Sequence, residues 1–584
     1  MLFAALTQSS ILHRLPGGLA RESRVSPHYL LSWVTDDFFS QWSNAEGETA
    51  VWESLLGHPN NRRDGVSFVE ARLSPAQQVL QVIKSSVSGR PVYYSVNSRN
   101  EFFLSTHIAL LRQAGVPIEE DPEVLPELLV YRTVAPPRTL YRGIRQMRVA
   151  GRIVVQVKDG NLRVSDASDG YNPPESANIG SEGEVAGRVA GTLTRAVDKL
   201  ASVAPRVATL LSGGVDSSIL SVIARDRLST PDTYSTSYPH DDSEENLEQK
   251  YALSAAQALG TRHTLFAPTA TDFLTGFIEA LAAAEAPLNH LQSILLHLLF
   301  KHAIPEGSDR VICGEAADSV FGLETHFALG QPPSLRRRFL ALAPVYLGLR
   351  AVGSGWARAQ ALAAHIAQIR RLRLPITDSS HPVWSYAAYG DFGWVQNHYG
   401  ASREEVIASR CKQLQSVANR PFSDVLAIYA LSYCDVAVTT SIWSKLAEGQ
   451  RKILYFPFAS QDILDCAFSI SWEIKLKRPK HVIREVGRRL GVPGFILNRR
   501  KQSFGIVSTR WAEKGGALEP LIAVAAKVVD IKQLRDLQGT DPNRAMTLWS
   551  LLNYAVLKRL FVMGQSKESL LGELRENCSG KDRN

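Results

Sequence analysis

The chain has 584 residues and a formal net charge of +8, from 65 Lys and Arg against 57 Asp and Glu. With 45% hydrophobic and 21% charged residues it is neither disordered nor fibrous, and at roughly 100–200 residues per domain it holds several domains. Five scattered cysteines without a CxxC pair exclude a disulfide scaffold and a standard zinc module, and fit a reducing compartment. Neither a basic–apolar leader pattern nor an uninterrupted apolar run of ~20 residues is present, so a cytoplasmic protein is expected, with no membrane partner. A charge of +8 over this length is a weak field, which argues against nucleic acid as a partner.

In chain order, Arg90 to Val96 is a β-branched and aromatic run, Asn97 to Asn100 supplies turn chemistry, and Glu101 to Ser105 resumes the strand. Thr106 to Gln113 follows as a short helix that Gly115 ends. Arg152 to Val157 and Leu162 to Val164 flank Asp159-Gly160, a strong hairpin turn. The stretch Asp166 to Glu184, rich in Ser, Gly, Asn, Pro and Asp, reads as a linker. Beyond it the periodicity changes. Val185 to Val203 has helical spacing, Val207 to Leu211 is a buried strand, and Ser217 to Arg227 is a helix. Thr233 to Tyr238 and His263 to Phe266 are strands around a helix from Asn246 to Leu259. Strands alternating with helices predict a parallel, doubly wound sheet. Helical patterns dominate from Leu335 to Asp435.

The strand Val207–Leu211 runs into Ser212-Gly213-Gly214-Val215-Asp216-Ser217-Ser218 and then a helix. Two glycines allow close backbone approach, and a helix start offers free N–H groups with the positive end of a dipole. Such a nest suits phosphate. Asp216 would repel phosphate unless a Mg²⁺ joins them. The segment is not a Walker A loop, since no GxxxxGK occurs there.

This segment resembles the pyrophosphate loop of the N-type ATP pyrophosphatases. A second segment, Arg310-Val311-Ile312-Cys313-Gly314-Glu315-Ala316-Ala317-Asp318-Ser319-Val320-Phe321-Gly322, resembles SGEGSDEVFGG of the asparagine synthetase-like family. A third, Arg499-Arg500-Lys501-Gln502-Ser503-Phe504, resembles its RQKEQF. The resemblance implies ATP contacts at Leu211, Ser212, Gly213, Gly214, Asp216, Ser217, Ser218, Cys313 and Gly314. It implies Mg²⁺ held by Asp216 and Asp318, and catalytic roles for Lys501, Asp318 and Glu315. Ser319 departs from the family acid.

Pro91-Val92-Tyr93-Tyr94 and Leu104 to Leu111 resemble the same family's glutaminase half. That half uses a cysteine at position two, whereas here Leu2 follows Met1 and the first cysteine is Cys313. The implied architecture is an α+β N-terminal domain over 1–170, a degenerate Ntn-glutaminase-like sandwich lacking its cysteine. An α/β ATP-pyrophosphatase domain over 185–584 follows, with a doubly wound parallel sheet and helical additions. The implied reaction is adenylation of a carboxylate and attack by an amine that comes with the substrate. Among family branches the lasso-peptide cyclases fit best. They join a precursor core peptide's N-terminal amine to an Asp or Glu side chain, with a leader-peptide protease of the same pathway as partner. The alternatives are a β-lactam synthetase-like ligase, with Tyr433 and Glu448 as base candidates, and an ammonia-using ligase on a small amino acid. A non-catalytic nucleotide-binding scaffold is more remote.

The cluster Trp384, Tyr386, Tyr389, Phe392, Trp394, His398 and Tyr399 reads either as a clamp for a threaded peptide or as ordinary core. His290, His297 and His302 read as structural or substrate-wall residues. The charge is local: Glu473 to Lys501 holds ten Lys or Arg against two acids, leaving 55 of each sign elsewhere. It is expected to face ATP or an acidic peptide.

Overall fold

The computed structural model describes residues 2–6, 22–25, 29–33, 39–43, 48–54, 68–84, 87, 89–158, 161–168, 171, 173, 180–201, 206–228, 231–239, 245–322, 329, 365–499 and 509–579. The first 168 residues build two six-stranded antiparallel sheets. One runs Ile144–Gln146, Tyr93–Val96, Phe102–Ser105, Leu2–Leu6, Tyr29–Trp33, Glu22–Val25. The other runs Asn161–Ser168, Gly151–Lys158, Val79–Lys84, Phe68–Ser74, Thr49–Ser54, Phe39–Ser43. Both predicted hairpins form. Tyr93 pairs with Ser105, and Lys158 pairs with Asn161 across the two-residue Asp-Gly connection. Alternate side chains of Val79–Lys84 point inward, as period-two burial requires. Inward residues of both sheets, among them Leu80, Val82, Ile153, Tyr93 and Leu104, belong to one continuous core.

The expected linker is shorter than predicted. Strand pairing continues to Ser168 and the next helix, Glu182–Ala201, starts at Glu182. Between them Tyr171 is buried with its ring 5.5 Å from Phe468, so this connection is anchored to the second half of the chain.

That second half holds the parallel sheet. Its order is Arg262–Phe266, Asp232–Thr236, Val207–Leu210, Arg310–Ile312, Ile453–Tyr455, every pair parallel. The chain adds two strands on one side of Val207–Leu210 and then crosses to add Arg310–Ile312 on the other. The order therefore reverses between these two central strands, and their C-terminal ends open a crevice where open α/β sheets bind ligands.

Helices make up most of 365–579. Of the predicted helical region from Leu335 to Asp435, residues 335–364 lie outside the described residues. Phe422–Tyr433 and Asp435–Glu448 are separate helices meeting at Cys434. The 27 residues Phe422–Glu448 are long and apolar enough to cross a membrane by composition, but 88% of their most apolar window is buried inside the protein.

The two halves meet on buried polar groups. Arg410 is fully buried; its Nε donates to Glu127 at 2.7 Å, its Nη2 to the Thr133 hydroxyl at 2.8 Å and its Nη1 to the Tyr429 hydroxyl at 2.9 Å. Close by, the amides of Tyr389 and Gly390 donate to the Val130 carbonyl. A Cβ on Gly390 would lie 2.0 Å from the Leu129 carbonyl oxygen, so only glycine permits this approach. A second cluster holds Arg90, His107, Glu285, Lys445 and Glu448. Glu285 pairs with Lys445 and accepts from the amides of Ile108 and Ala109, at 2.9 and 3.0 Å. Arg90 pairs with Glu448 at 2.6 Å. Burial, aided by Lys445, brings His107 down to about 4. Burial opposes the charged form of Glu448, yet Arg90 and its neighbours bring that group to about 2.

Two outcomes follow. Arg410→Ala takes from Glu127 one of its two guanidinium partners, leaving Arg138, and should lower unfolding stability by about 2–4 kcal/mol in chemical denaturation. His107 stays neutral in the fold but charges in the unfolded chain below its ordinary 6.5, so stability should fall as pH drops from 6.5 toward 4. A proton taken up only on unfolding contributes about 1.4 kcal/mol per pH unit. Thermal melts of His107→Gln should show a shallower slope over this range than the parent chain.

Candidate functional site

The crevice at the sheet reversal is a cleft of about 240 Å³. The loop after Val207–Leu210 forms one wall. Gly213 has φ 71°, and a Cβ there would lie 2.5 Å from the Tyr251 carbonyl carbon and oxygen. Both the left-handed backbone and the contact with the Glu245–Leu259 helix demand glycine. The Ser212 amide donates to Ser217 Oγ at 3.2 Å, and Ser217 Oγ donates to the Gly214 carbonyl at 3.2 Å. The serine hydroxyls thus brace the loop itself. Ser212 and Ser217 still line the cleft with Leu211, Gly214 and Asp216, whereas Gly213 and Ser218 do not. Ser218 is fully buried, its amide bonded to the Gly214 carbonyl. The helix begins at Val215, two residues ahead of the predicted start.

The turn after Arg310–Ile312 forms the neighbouring wall. A Cβ on Gly314 would sit 3.4 Å from the Ser217 amide nitrogen and 3.6 Å from Asp216 Cβ, so the two motifs are in contact. Cys313 lines the cleft, but burial raises its thiol pKa, which keeps it protonated. Ala316, where the resembling motif has glycine, stands at φ 80°, a left-handed conformation that costs an L-residue about 1–2 kcal/mol. It sets up the short helix Ala317–Phe321 that carries Asp318.

Asp216 and Asp318 converge on one cation that sequence reasoning did not single out. Lys480 Nζ pairs with Asp216 Oδ2 and lies 2.7 Å from Asp318 Oδ1. Lys480 is buried and has φ 55°, another left-handed non-glycine residue, just ahead of the helix His481–Arg489. Asp216 Oδ1 is buried without a hydrogen-bond partner. Two carboxylates already gathered on one positive atom, with a lone oxygen to spare, form a donor set that fits a hard divalent cation. Among the described residues no group of three or more His, Cys, Asp or Glu forms a metal cluster.

Of the eight described basic residues in 473–499, three reach the cleft: Lys480, Arg484 and Arg499. Arg484 donates to the carbonyls of Pro479 and Arg499, at 3.1 Å each, and to that of Leu497. It ties the two segments of this wall together, and burial with nearby Arg478 lowers its pKa. The Arg499 guanidinium lies 3.7 Å over the Tyr251 ring, an aromatic–cation contact. Lys475 is elsewhere, fully buried with its amine 4.1 Å from the Trp472 ring, and burial brings it down to about 7. Lys477 and Arg488 face Glu182 and Glu485 in surface pairs. Lys501 lies outside the described residues.

The third carboxylate in the cleft is Glu315. Apolar side chains also line the cleft: Leu210, Val215, Ala252, Leu295, Leu299 and Ile496, with Trp443 donating to Ser293 at 3.0 Å. Neither Tyr433 nor Glu448, the base candidates, lines the cleft. The aromatic cluster is not a cleft wall either. Trp384, Tyr386 and Trp394 are buried in the core, Tyr131 donates to the Trp384 carbonyl, and Tyr389 stacks under Arg132. The cluster is where the two halves pack. His297 pairs with Glu279 at 3.4 Å, His302 stacks on Phe266, and His290 adjoins Arg132, all outside the cleft.

Residues 188–555, more than half of the chain, match the asparagine synthase family. The chain belongs to the asparagine synthase family. It is 21% identical over 429 residues to glutamine-hydrolysing asparagine synthetase 1 of Bacillus subtilis, covering 72% of this chain and 65% of that relative, less than two thirds of its length. It is 26% identical over 487 residues to a protein of Mycobacterium tuberculosis provisionally named glutamine-hydrolysing asparagine synthetase, covering 78% of this chain and 70% of the relative. A Mycobacterium bovis protein of the same name matches equally. The asparagine synthase family consists of ATP-using ligases that form carbon–nitrogen bonds.

The glycine loop gives a direct check. Gly213→Ala should displace the loop from the Glu245–Leu259 helix and weaken ATP binding by roughly tenfold or more, alongside a lower melting temperature. Isothermal titration with ATP and a thermal melt read both effects.

Proposed function

We propose that this chain adenylates the side-chain carboxylate of an Asp or Glu in a ribosomal precursor peptide. It then closes a macrolactam with that peptide's N-terminal amine, releasing AMP and pyrophosphate. The observation that carries the reading is the shared cation between Asp216 and Asp318, in a cleft lined by both apolar and charged residues. Apolar lining suits a purine and charged lining a triphosphate. Asp216 and Asp318 would hold Mg²⁺, which when bound screens phosphate charge. Lys480, Arg484 and Arg499 place positive charge where pyrophosphate departs. The substrate carboxylate oxygen attacks the α-phosphorus and the bond to pyrophosphate breaks. The amine nitrogen then attacks the acyl carbon, and AMP leaves. In this reading the amine's proton goes to Glu315, the remaining carboxylate among the described lining residues. Lys501 carries the charge-stabilising role that its motif implies.

The amine is supplied by the substrate. The described strand Leu2–Leu6 carries no thiol, which supports an amine that comes with the substrate. The position of Tyr433 and Glu448 away from the cleft counts against the β-lactam reading. A leader-peptide protease would deliver the free N-terminal amine that ring closure consumes.

The experiment is incubation of the chain with ATP, Mg²⁺ and leader-free core peptides encoded beside its gene. The expected product is a peptide lighter by one water, with one AMP and one pyrophosphate, and Asp318→Asn should slow pyrophosphate release by roughly 100-fold. AMP formation with aspartate and ammonia, but with no peptide, would replace this reading by the small-amino-acid ligase.

A further inference from the structure

The charged groups that line the described cleft balance. Asp216, Glu315 and Asp318 face Lys480, Arg484 and Arg499. The balance depends on Lys480, because its amine alone touches both Asp216 and Asp318. Arg484 spends its donors on three backbone carbonyls, and Arg499 stacks on Tyr251. Lys480 is also buried and keeps a left-handed backbone, so its position is imposed by the fold and is not a chance surface contact.

We propose that Lys480 is a built-in counter-cation that makes the metal site nucleotide-dependent. In the ligand-free protein its amine occupies the charge position between the two carboxylates and competes with any free divalent cation. A free metal ion would have to displace one positive charge from a cleft that is already neutral. A metal ion that arrives with ATP brings the phosphates' negative charge, and these give the displaced amine a new partner. The protein therefore ignores free metal and takes it with nucleotide. This rests on the assignment of Asp216 and Asp318 as the metal pair.

The test uses Mn²⁺ as the probe on the full-length chain, read by titration calorimetry or by the electron paramagnetic resonance of free Mn²⁺. Without nucleotide, Lys480→Met should bind Mn²⁺ roughly tenfold or more tightly than the parent chain, and Lys480→Arg should behave as the parent. Circular dichroism melts check folding; Lys480→Gln serves if the Met variant does not fold, and Mn²⁺ should raise the melting temperature of either variant more than that of the parent. Equal or weaker Mn²⁺ binding by the Met or Gln variant overturns the inference. A control arm measures Mn²⁺ with ATP on the parent and on Asp318→Asn. Loss in Asp318→Asn without tightening in Lys480→Met removes the counter-cation alone. No loss in Asp318→Asn removes the metal assignment and the inference with it.

Discussion

Two charged carboxylates that follow neighbouring parallel strands lie side by side at low cost when a cation stands between them. That constraint organises the second half of this protein. Asp216 follows the strand Val207–Leu210, Asp318 follows Arg310–Ile312, and the reversal of strand order between the two brings them to one crevice. Like charges this close repel strongly in a partly buried setting, and the shared Lys480 amine relieves that repulsion. The surrounding backbone is shaped to allow it. Gly213 lets its loop touch the Glu245–Leu259 helix, Gly314 brings the second motif against the first, and Ala316 and Lys480 hold left-handed conformations. Strain of this kind persists only where the fold over-determines it.

The antiparallel half is joined to this site rather than appended to it. Glu285 receives the amides that start the helix Ile108–Gln113 and pairs with Lys445. Trp443, two residues before Lys445, lines the cleft. The Arg410–Glu127 pair and the close approach at Gly390 fasten the same half from another side. This half is packed against the site, with its charges buried in pairs that are costly to break.

Much of this was legible in the sequence because its signals are local. The strands flanking Asp159-Gly160 and the strand–glycine–helix passage at 207–218 each depend on neighbouring residues, and both are found. Asp216 and Asp318 were legible because short motifs carry them. Lys480 was not, because nothing near it separates it from Lys475, Lys477 or Arg488. Only the third dimension sends one of these to the cleft, one into an aromatic cage and the others to surface pairs. The aromatic run from Trp384 to Tyr399 stayed open between clamp and core for the same reason, since composition does not tell a substrate wall from an interface between halves. The edge strand Ile453–Tyr455 is three residues long, too short for periodicity to announce it.

The central claim is that the cleft transfers AMP to a substrate carboxylate. Oxygen tracing tests it most directly. A core peptide whose acceptor carboxylate carries ¹⁸O is turned over with ATP, and the released AMP is analysed by mass spectrometry. Attack of the carboxylate on the α-phosphorus, followed by amine capture at the acyl carbon, predicts one ¹⁸O in the AMP phosphoryl group and none in pyrophosphate. AMP free of the label, or label in inorganic phosphate with ADP as co-product, would contradict it.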